Sequence, residues 1–221
     1  MKPNANLNID RYTWARETIK KIATATSGAK LFDIGSRDEI FHKYCADLPV
    51  TYFGFDRQPL TANIRQWDIE NRFPYEDGQA DIITFLEVVE HLNNPWISIK
   101  NLADTLKPKG YLLLTTPNPA WSNARINLLM KGQLSCFTDN DLDVNHHVFT
   151  PWPHIIKKLL SDNGFSIANY VTLDGKTRIF AKPLSPLKFP VQIGFRLTKK
   201  LIELSNNGAC GMSYAILAQK D

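Results

Sequence analysis

The feature that most limits how this chain can fold is the regular return of short, nearly continuous apolar runs between helical segments. "AKLFDIG", "VTYFGFD", "ADIITFLE" and "YLLLTTPN" are four such runs, each closed by a polar or turn-forming residue. Runs without polar alternation are strands buried on both faces, and strands separated by helices pair in parallel. "IFHKYCADL" and "NPWISIKNLADTLKPKG" supply helices between them, the second closed by Lys-Pro-Lys-Gly as a stop signal. Ahead of the first strand, Tyr12, Trp14, Ala15, Ile19, Ile22 and Ala23 recur near helical spacing, which predicts an amphipathic helix over 10–26. Further on, "TPWPHIIKKLLSDNGF" predicts a helix ended by Asn163-Gly164, and "SIANYVTL" a strand. "FPVQIGFRLTKKLIELSNN" predicts another helix and "MSYAILAQK" a last strand. The expected class is α/β, a mostly parallel sheet with helices on both faces.

A chain of 221 residues with 43% hydrophobic content is expected to form a single domain, 1–221, around one sizeable core. Within it the pattern divides into a leading helix (1–27), a first half (28–118), a polar and irregular lid at 119–150, and a C-terminal half (151–221) with an inserted helix near 190–205. The net charge of +4 is spread along the chain rather than run together, so nucleic acid is not indicated as a partner. Cys45, Cys136 and Cys210 are odd in number and form no CxxC pair, which argues against a disulfide framework or a thiolate zinc site. With no apolar leader-like or membrane-spanning stretch in the sequence, the expectation is a cytoplasmic protein without a transmembrane segment.

In parallel α/β sheets, ligands bind beyond the carboxyl ends of the strands. Here those ends carry Gly35, Asp56, Glu87 and Pro117-Asn118. Asp33 lies just before the Gly35 turn. Asp56 stands where a carboxylate can accept the hydroxyls of a nucleoside ribose. Asp68, in "QWDIE", follows twelve residues later, where a strand end can meet an adenine.

These residues carry a resemblance. "LFDIGS", "GFD", "WDIENRFPYEDGQADIITFLEVVEHLNNP", "LKPKGYLLLTTPN" and "HHVFTPWPHIIKKLLSDNGF" resemble class I S-adenosylmethionine-dependent methyltransferases of the small type-11 group, over about 28–172 and again in the last strand. The resemblance implies a Rossmann-like, seven-stranded sheet with an antiparallel last strand and S-adenosylmethionine as cofactor. It assigns Asp33, Gly35 and Ser36 to the methionine part, Asp56 to the ribose, Asp68 and Ile69 to the adenine, and Arg57 and Glu87 to cofactor contact. Two departures stand out. The family pattern D-x-G-x-G-x-G keeps only its first glycine, with Arg37 and Glu39 at the other two positions. The step from Asp56 to Asp68 leaves no room for a full helix.

"EVVEHL" puts Glu87, Glu90 and His91 at i, i+3 and i+4, one helical face if a helix starts at Glu87. Three chemistries fit. Glu90 and His91 cap and pack the helix start while Glu87 meets the cofactor. Alternatively, His91 or His147, with Glu90 beside them, forms a catalytic group that takes a proton from an acceptor hydroxyl. In the third, Glu87, Glu90, His91 and His147 hold a divalent metal of the Mg, Mn, Fe, Co or Zn type. His146 has a packing role available before "FTP", as do Trp121, Phe149 and Trp152.

The function expected is methyl transfer, O-directed, to a small-molecule or carbohydrate hydroxyl, with the lid and the 174–205 insertion shaping the acceptor pocket. A metal-assisted RNA 3′-terminal 2′-O-methyltransferase is a rival and would use Arg125, Lys131 and Lys176. A catalytically inactive domain that keeps the fold is another. A nicotinamide dehydrogenase is disfavoured by the missing G-x-G-x-x-G. "FRLTKKLIELSN" is basic and amphipathic, a packed helix with a solvated face that is also compatible with a membrane surface.

Overall fold

The computed structural model describes residues 2–24, 28–75, 79–175 and 189–221, the side chains of 189–192 excepted. Asp10 begins the first helix, α1 (Arg11–Ala23), by accepting from the Tyr12 and Thr13 amides, so the helix starts one residue later than its apolar pattern and stops before 24. It is preceded by a two-residue strand, β1 (Ala5–Asn6). The apolar runs form β2 (Ala29–Ile34), β3 (Val50–Asp56) and β5 (Ala80–Leu86), with α2 (Ile40–Cys45) after β2. The short step from Asp56 to Asp68 contains a two-residue strand, β4 (Arg65–Gln66), hydrogen-bonded to the end of β3. That strand is too short to leave an apolar pattern in the sequence.

The next helix, α3 (Pro95–Thr105), is capped by Asn94 Oδ1 on the Ile97 amide, with Pro95 in its first turn. The Lys-Pro-Lys-Gly stop signal proves to be strand rather than loop. β6 (Leu106–Pro117) starts at once, and its register against β5 slips between Ala80 and Ile82 while Lys109 takes a left-handed φ of 62°. The lid is more ordered than its polar composition predicts. It holds α4 (Ser122–Lys131), closed by Gly132 at φ 75°, and α5 (Asp139–Asn145), opened by a capping box between Thr138 and Asp141. α6 (Pro153–Asp162), β7 (Phe165–Leu173), α7 (Phe189–Ser205) and β8 (Ser213–Lys220) complete the chain.

The sheet runs β1-β7-β8-β6-β5-β2-β3-β4. All pairings are parallel except those of β8, which lies antiparallel between β6 and β7. The seven expected strands form its body, and β1 adds an eighth at the β7 edge. One face is buried under α3 and α6, where Phe32, Phe55, Phe85, Ile99, Leu102 and Ile156 pack together. The other is buried under α1 and α2, through Trp14, Ile19, Leu31, Phe41 and Ile82. The carboxyl ends of β2, β3, β4 and β5 therefore open on one edge, where the sequence places its acids. Residues 176–188 of the expected 174–205 insertion, Lys176 included, lie outside the described residues, as do 25–27 and 76–78.

Candidate active site

Four strand ends build the site. At the end of β2, Gly35 turns the chain at φ 85°, and a Cβ there would meet Val88 Cγ2 at 2.4 Å, so the turn needs glycine for both conformation and space. The amides of Gly35 and Ser36 both donate to the Phe55 carbonyl, at 2.8 and 3.1 Å, fixing the turn to β3. Arg37 and Glu39 occupy the second and third glycine positions and keep a glycine-like backbone, at φ 31° and 61°. The loop has thus lost its glycines without losing their conformation.

Asp33 is buried with both oxygens engaged: Oδ2 accepts from the Tyr52 hydroxyl at 2.5 Å and Oδ1 from Thr84 Oγ1 at 2.7 Å. Burial raises its pKa, and the hydrogen bonds from Tyr52, Thr84 and Ser36 pull the other way. Asp33, Gly35 and Ser36 line a small cleft with Tyr12, Asp38, Phe41 and Leu86. Asp56 receives the Gln58 amide on Oδ1 (2.7 Å) and the Arg37 amide on Oδ2 (3.2 Å), which ties the second strand end to the first loop. Arg57 is exposed, its carbonyl accepting from Gln66 Nε2. Asp68 caps the Glu70 amide, while Ile69 is buried in the core with its carbonyl accepting from Asn101 Nδ2.

The acid-histidine run departs from the helical reading. Glu87 takes a left-handed φ of 56°, and Val89–His91 form a single 3-10 turn separate from α3. Glu90 therefore does not cap α3. It points inward, 1% exposed, and its Oε2 accepts from Thr116 Oγ1 at 2.9 Å. The structure brings Glu90, His91 and His147 together, one ligand atom from each lying within 4.8 Å of the others. Glu87 is not in that group. His146 turns away as the exposed left-handed cap of α5, whereas His147 stands edge-on to His91, ring centroids 4.9 Å apart. His147 Nδ1 lies 2.5 Å from the Cys136 carbonyl. A carbonyl only accepts, so Nδ1 carries a proton toward it.

Electrostatically the site favours uncharged groups. Burial pushes the Glu87 carboxyl up to about 7, against the lowering effect of the Arg11 charge. Burial and then the neighbouring Glu87 raise Glu90 well above the usual carboxylate range. Burial, and then the His147 charge, lower His91. Glu87 Oε1 and Thr115 Oγ1 are both sealed from solvent, and neither meets strict hydrogen-bond geometry, yet the Thr115 hydroxyl lies close enough to act as the acid's donor and lower its pKa.

Arg11 and Tyr12 are site residues that no motif pointed to. They open α1, the Tyr12 ring lies under the Arg11 guanidinium at 4.7 Å, and the Arg11 charge reaches Glu87 and Glu90. Their signal was only an N-cap, Asp10, one residue upstream. Tyr52 and Thr84, which hold Asp33, were hidden as ordinary strand residues. Trp121 is buried and Phe149 packs edge-on to Trp96, consistent with packing roles.

Known proteins share the fold. Among curated proteins, the chain is 28% identical over 131 residues to a ubiquinone biosynthesis O-methyltransferase of Shewanella pealeana, covering 53% of this chain and 54% of that one. A protein of the same description from Acinetobacter baylyi is 28% identical over 132 residues, with the same coverage. The chain thus spans about half the length of the curated relatives it matches. A solved structure of a SAM dependent methyltransferase from Archaeoglobus fulgidus superposes with a TM-score of 0.59 at 19% identity, over 93% of this chain and 94% of that one. The cyclase SpnF superposes at 0.58 and 14% identity, over 94% and 80%, so this fold alone does not fix the reaction. A family model described as a methyltransferase domain matches residues 7–170, most of the chain and every acid and histidine of the site. This chain belongs to that methyltransferase-domain family.

Proposed function

We propose that the chain is an O-directed methyltransferase acting on a small-molecule hydroxyl, a phenol or a sugar, with His147 receiving the proton. The observation that carries this is the place of His147, anchored through Nδ1–H to the Cys136 carbonyl and grouped with His91 and Glu90. An imidazole anchored at the ligand edge suits removal of a proton as a hydroxyl is methylated. The names of the curated relatives, O-methyltransferases of ubiquinone biosynthesis, support a hydroxyl acceptor.

S-adenosylmethionine, when bound, supplies the electrophilic methyl group, so the chain needs alignment and deprotonation rather than a nucleophile of its own. In this reading Asp33, Gly35 and Ser36 floor the methionine end. Asp56 offers its remaining lone pairs to the ribose, with Arg57 beside it, and Asp68 and Ile69 border the adenine. The buried Glu87 carboxyl, beside Arg11 and Thr115, contacts the cofactor. The chemistry of Glu90, His91 and His147 also suits a divalent ion of the Mg, Mn, Fe, Co or Zn kind. A metal there would hold the acceptor oxygen and lower its pKa.

Calorimetry with S-adenosylhomocysteine tests the first half: binding is expected, and no heat at millimolar ligand would remove the reading. His147→Ala is expected to keep that binding while methyl transfer to a catechol falls by about 100-fold, the usual worth of a general base. Titration with Mn or Co tests the ion, which is excluded if neither binds and chelator leaves the rate unchanged.

A further inference from the structure

α7 shows an unusual face to solvent. Ile193, Leu197, Leu201 and Leu204 recur at helical spacing and are all exposed, Leu197 at 57% and Leu201 at 66%. Leu129 and Met130, on the last turn of α4, are exposed too, at 81% and 68%. The two helices pack together, and Ser122 Oγ, at the start of α4, donates to Glu203 Oε1 of α7 at 2.7 Å. Single exposed leucines are ordinary on protein surfaces, whereas a repeated stripe continued by a neighbouring helix marks an interaction surface.

Charge identifies what covers it. The chain has 26 basic and 22 acidic residues, a net +4. α4 and α7 together hold five of the basic residues (Arg125, Lys131, Arg196, Lys199 and Lys200) and a single acid, Glu203. They account for the whole excess, and the rest of the chain is neutral. Glu203 is moreover turned inward, to Ser122 and to Lys199 at 3.5 Å. Arg196 and Lys200 are exposed and sit one position before Leu197 and Leu201, so the cations flank the apolar stripe. An apolar stripe edged by basic side chains that can extend past it is the pattern of a helix lying in the headgroup region of an anionic bilayer.

We propose that the α4–α7 face docks this protein on a membrane surface rich in anionic phospholipid. The proposal goes beyond the methyl-transfer reading and is read without cofactor or acceptor, so either can fail alone. The test is co-sedimentation of the purified chain with vesicles of phosphatidylcholine alone or with about 30% phosphatidylglycerol, the source of the negative surface potential. The chain is expected to bind the anionic vesicles far more strongly, and to be released by about 0.5 M salt as screening shortens the reach of the charges. Arg196→Gln with Lys200→Gln is expected to weaken anionic-vesicle binding about 30-fold, at roughly five-fold per basic residue. Leu197→Gln with Leu201→Gln is expected to abolish it; all four positions are exposed, and circular dichroism checks that the variants fold. Equal affinity for neutral and anionic vesicles, or unchanged binding by the variants, would overturn the proposal. So would a dimer in sedimentation that the leucine substitutions dissociate, which would assign the face to a second copy.

Discussion

Arg37 and Glu39 hold backbone conformations that β-carbon-bearing residues adopt at a cost of about 1 kcal/mol each. Their backbone bonds, Arg37 N–H to Asp56 and the Arg37 carbonyl to the Leu60 amide, need no side chain. Replacing both by glycine should therefore stabilise the protein by about 1 kcal/mol after the added unfolded-state freedom, seen as a Tm rise of about 2–4 °C. Gly35→Ala should act oppositely and more strongly, since it adds a clash with Val88 to the strain. Glu87 gives a pH signature. An acid whose folded pKa, about 7, exceeds its ordinary 4.5 binds its proton more tightly in the folded chain. Its contribution is fully present below the lower value and is lost as pH rises through the higher one, up to roughly 3 kcal/mol in all. Thermal melts at about pH 5 and pH 8 should differ accordingly, and Glu87→Gln should narrow the gap. At this scale the sequence carried the acids and histidines by type and place. It did not show that Glu90 points inward or that Arg11 faces Glu87, because those depend on a left-handed turn at Glu87 and on where α1 begins.

The expected helix across Glu87, Glu90 and His91 failed because the chain turns twice there before α3 starts at Pro95. What holds that start is Glu70, from the far side of β4: its Oε1 accepts from the Asn93 and Asn94 amides at 2.8 and 3.1 Å. In return Asn101 Nδ2, on α3, donates to the carbonyls of Ile69 and Asn71. The loop assigned to the adenine is therefore stitched to a helix. Glu70→Ala should cost about 2 kcal/mol by removing a charged acceptor from two amides, and Glu70→Gln less than half of that. Urea unfolding of the two variants measures it; equal losses would place the effect in packing instead. No periodicity announces such a stitch, since Glu70 lies twenty-three residues from Asn93. The lid helices were missed for a related reason. α4 and α5 expose much of their surface, so apolar spacing, which reports burial, is weak in both, and their signals are instead Gly132 and the Thr138–Asp141 box.

Across the whole molecule, among the described residues, β7 and the β1 edge join the rest of the sheet through β8. Nearly continuous apolar runs were enough to predict the parallel body, because burial on both faces leaves a strong local imprint. The order in which β8 enters is non-local and left none. One residue joins the two parts at the ligand edge. Asn118, buried just past β6, donates through Nδ2 to the carbonyls of Gly208 and Gly211 at 2.8 and 2.9 Å, and its Oδ1 accepts from the Ala120 amide at 3.0 Å. The position expected to carry chemistry thus clasps the loop that leads into β8. Asn118→Ala leaves two buried carbonyls and an amide without partners, a loss of about 3–4 kcal/mol at one to three per buried orphan after partial relaxation. Because β8 bridges the sheet, the loss should appear as an earlier urea midpoint with an unchanged m-value, one cooperative transition moved as a whole. A split transition, with α1 and β2 to β5 persisting after β7 and β8 have melted, would instead show that the two parts fold independently and that Asn118 only trims a loop.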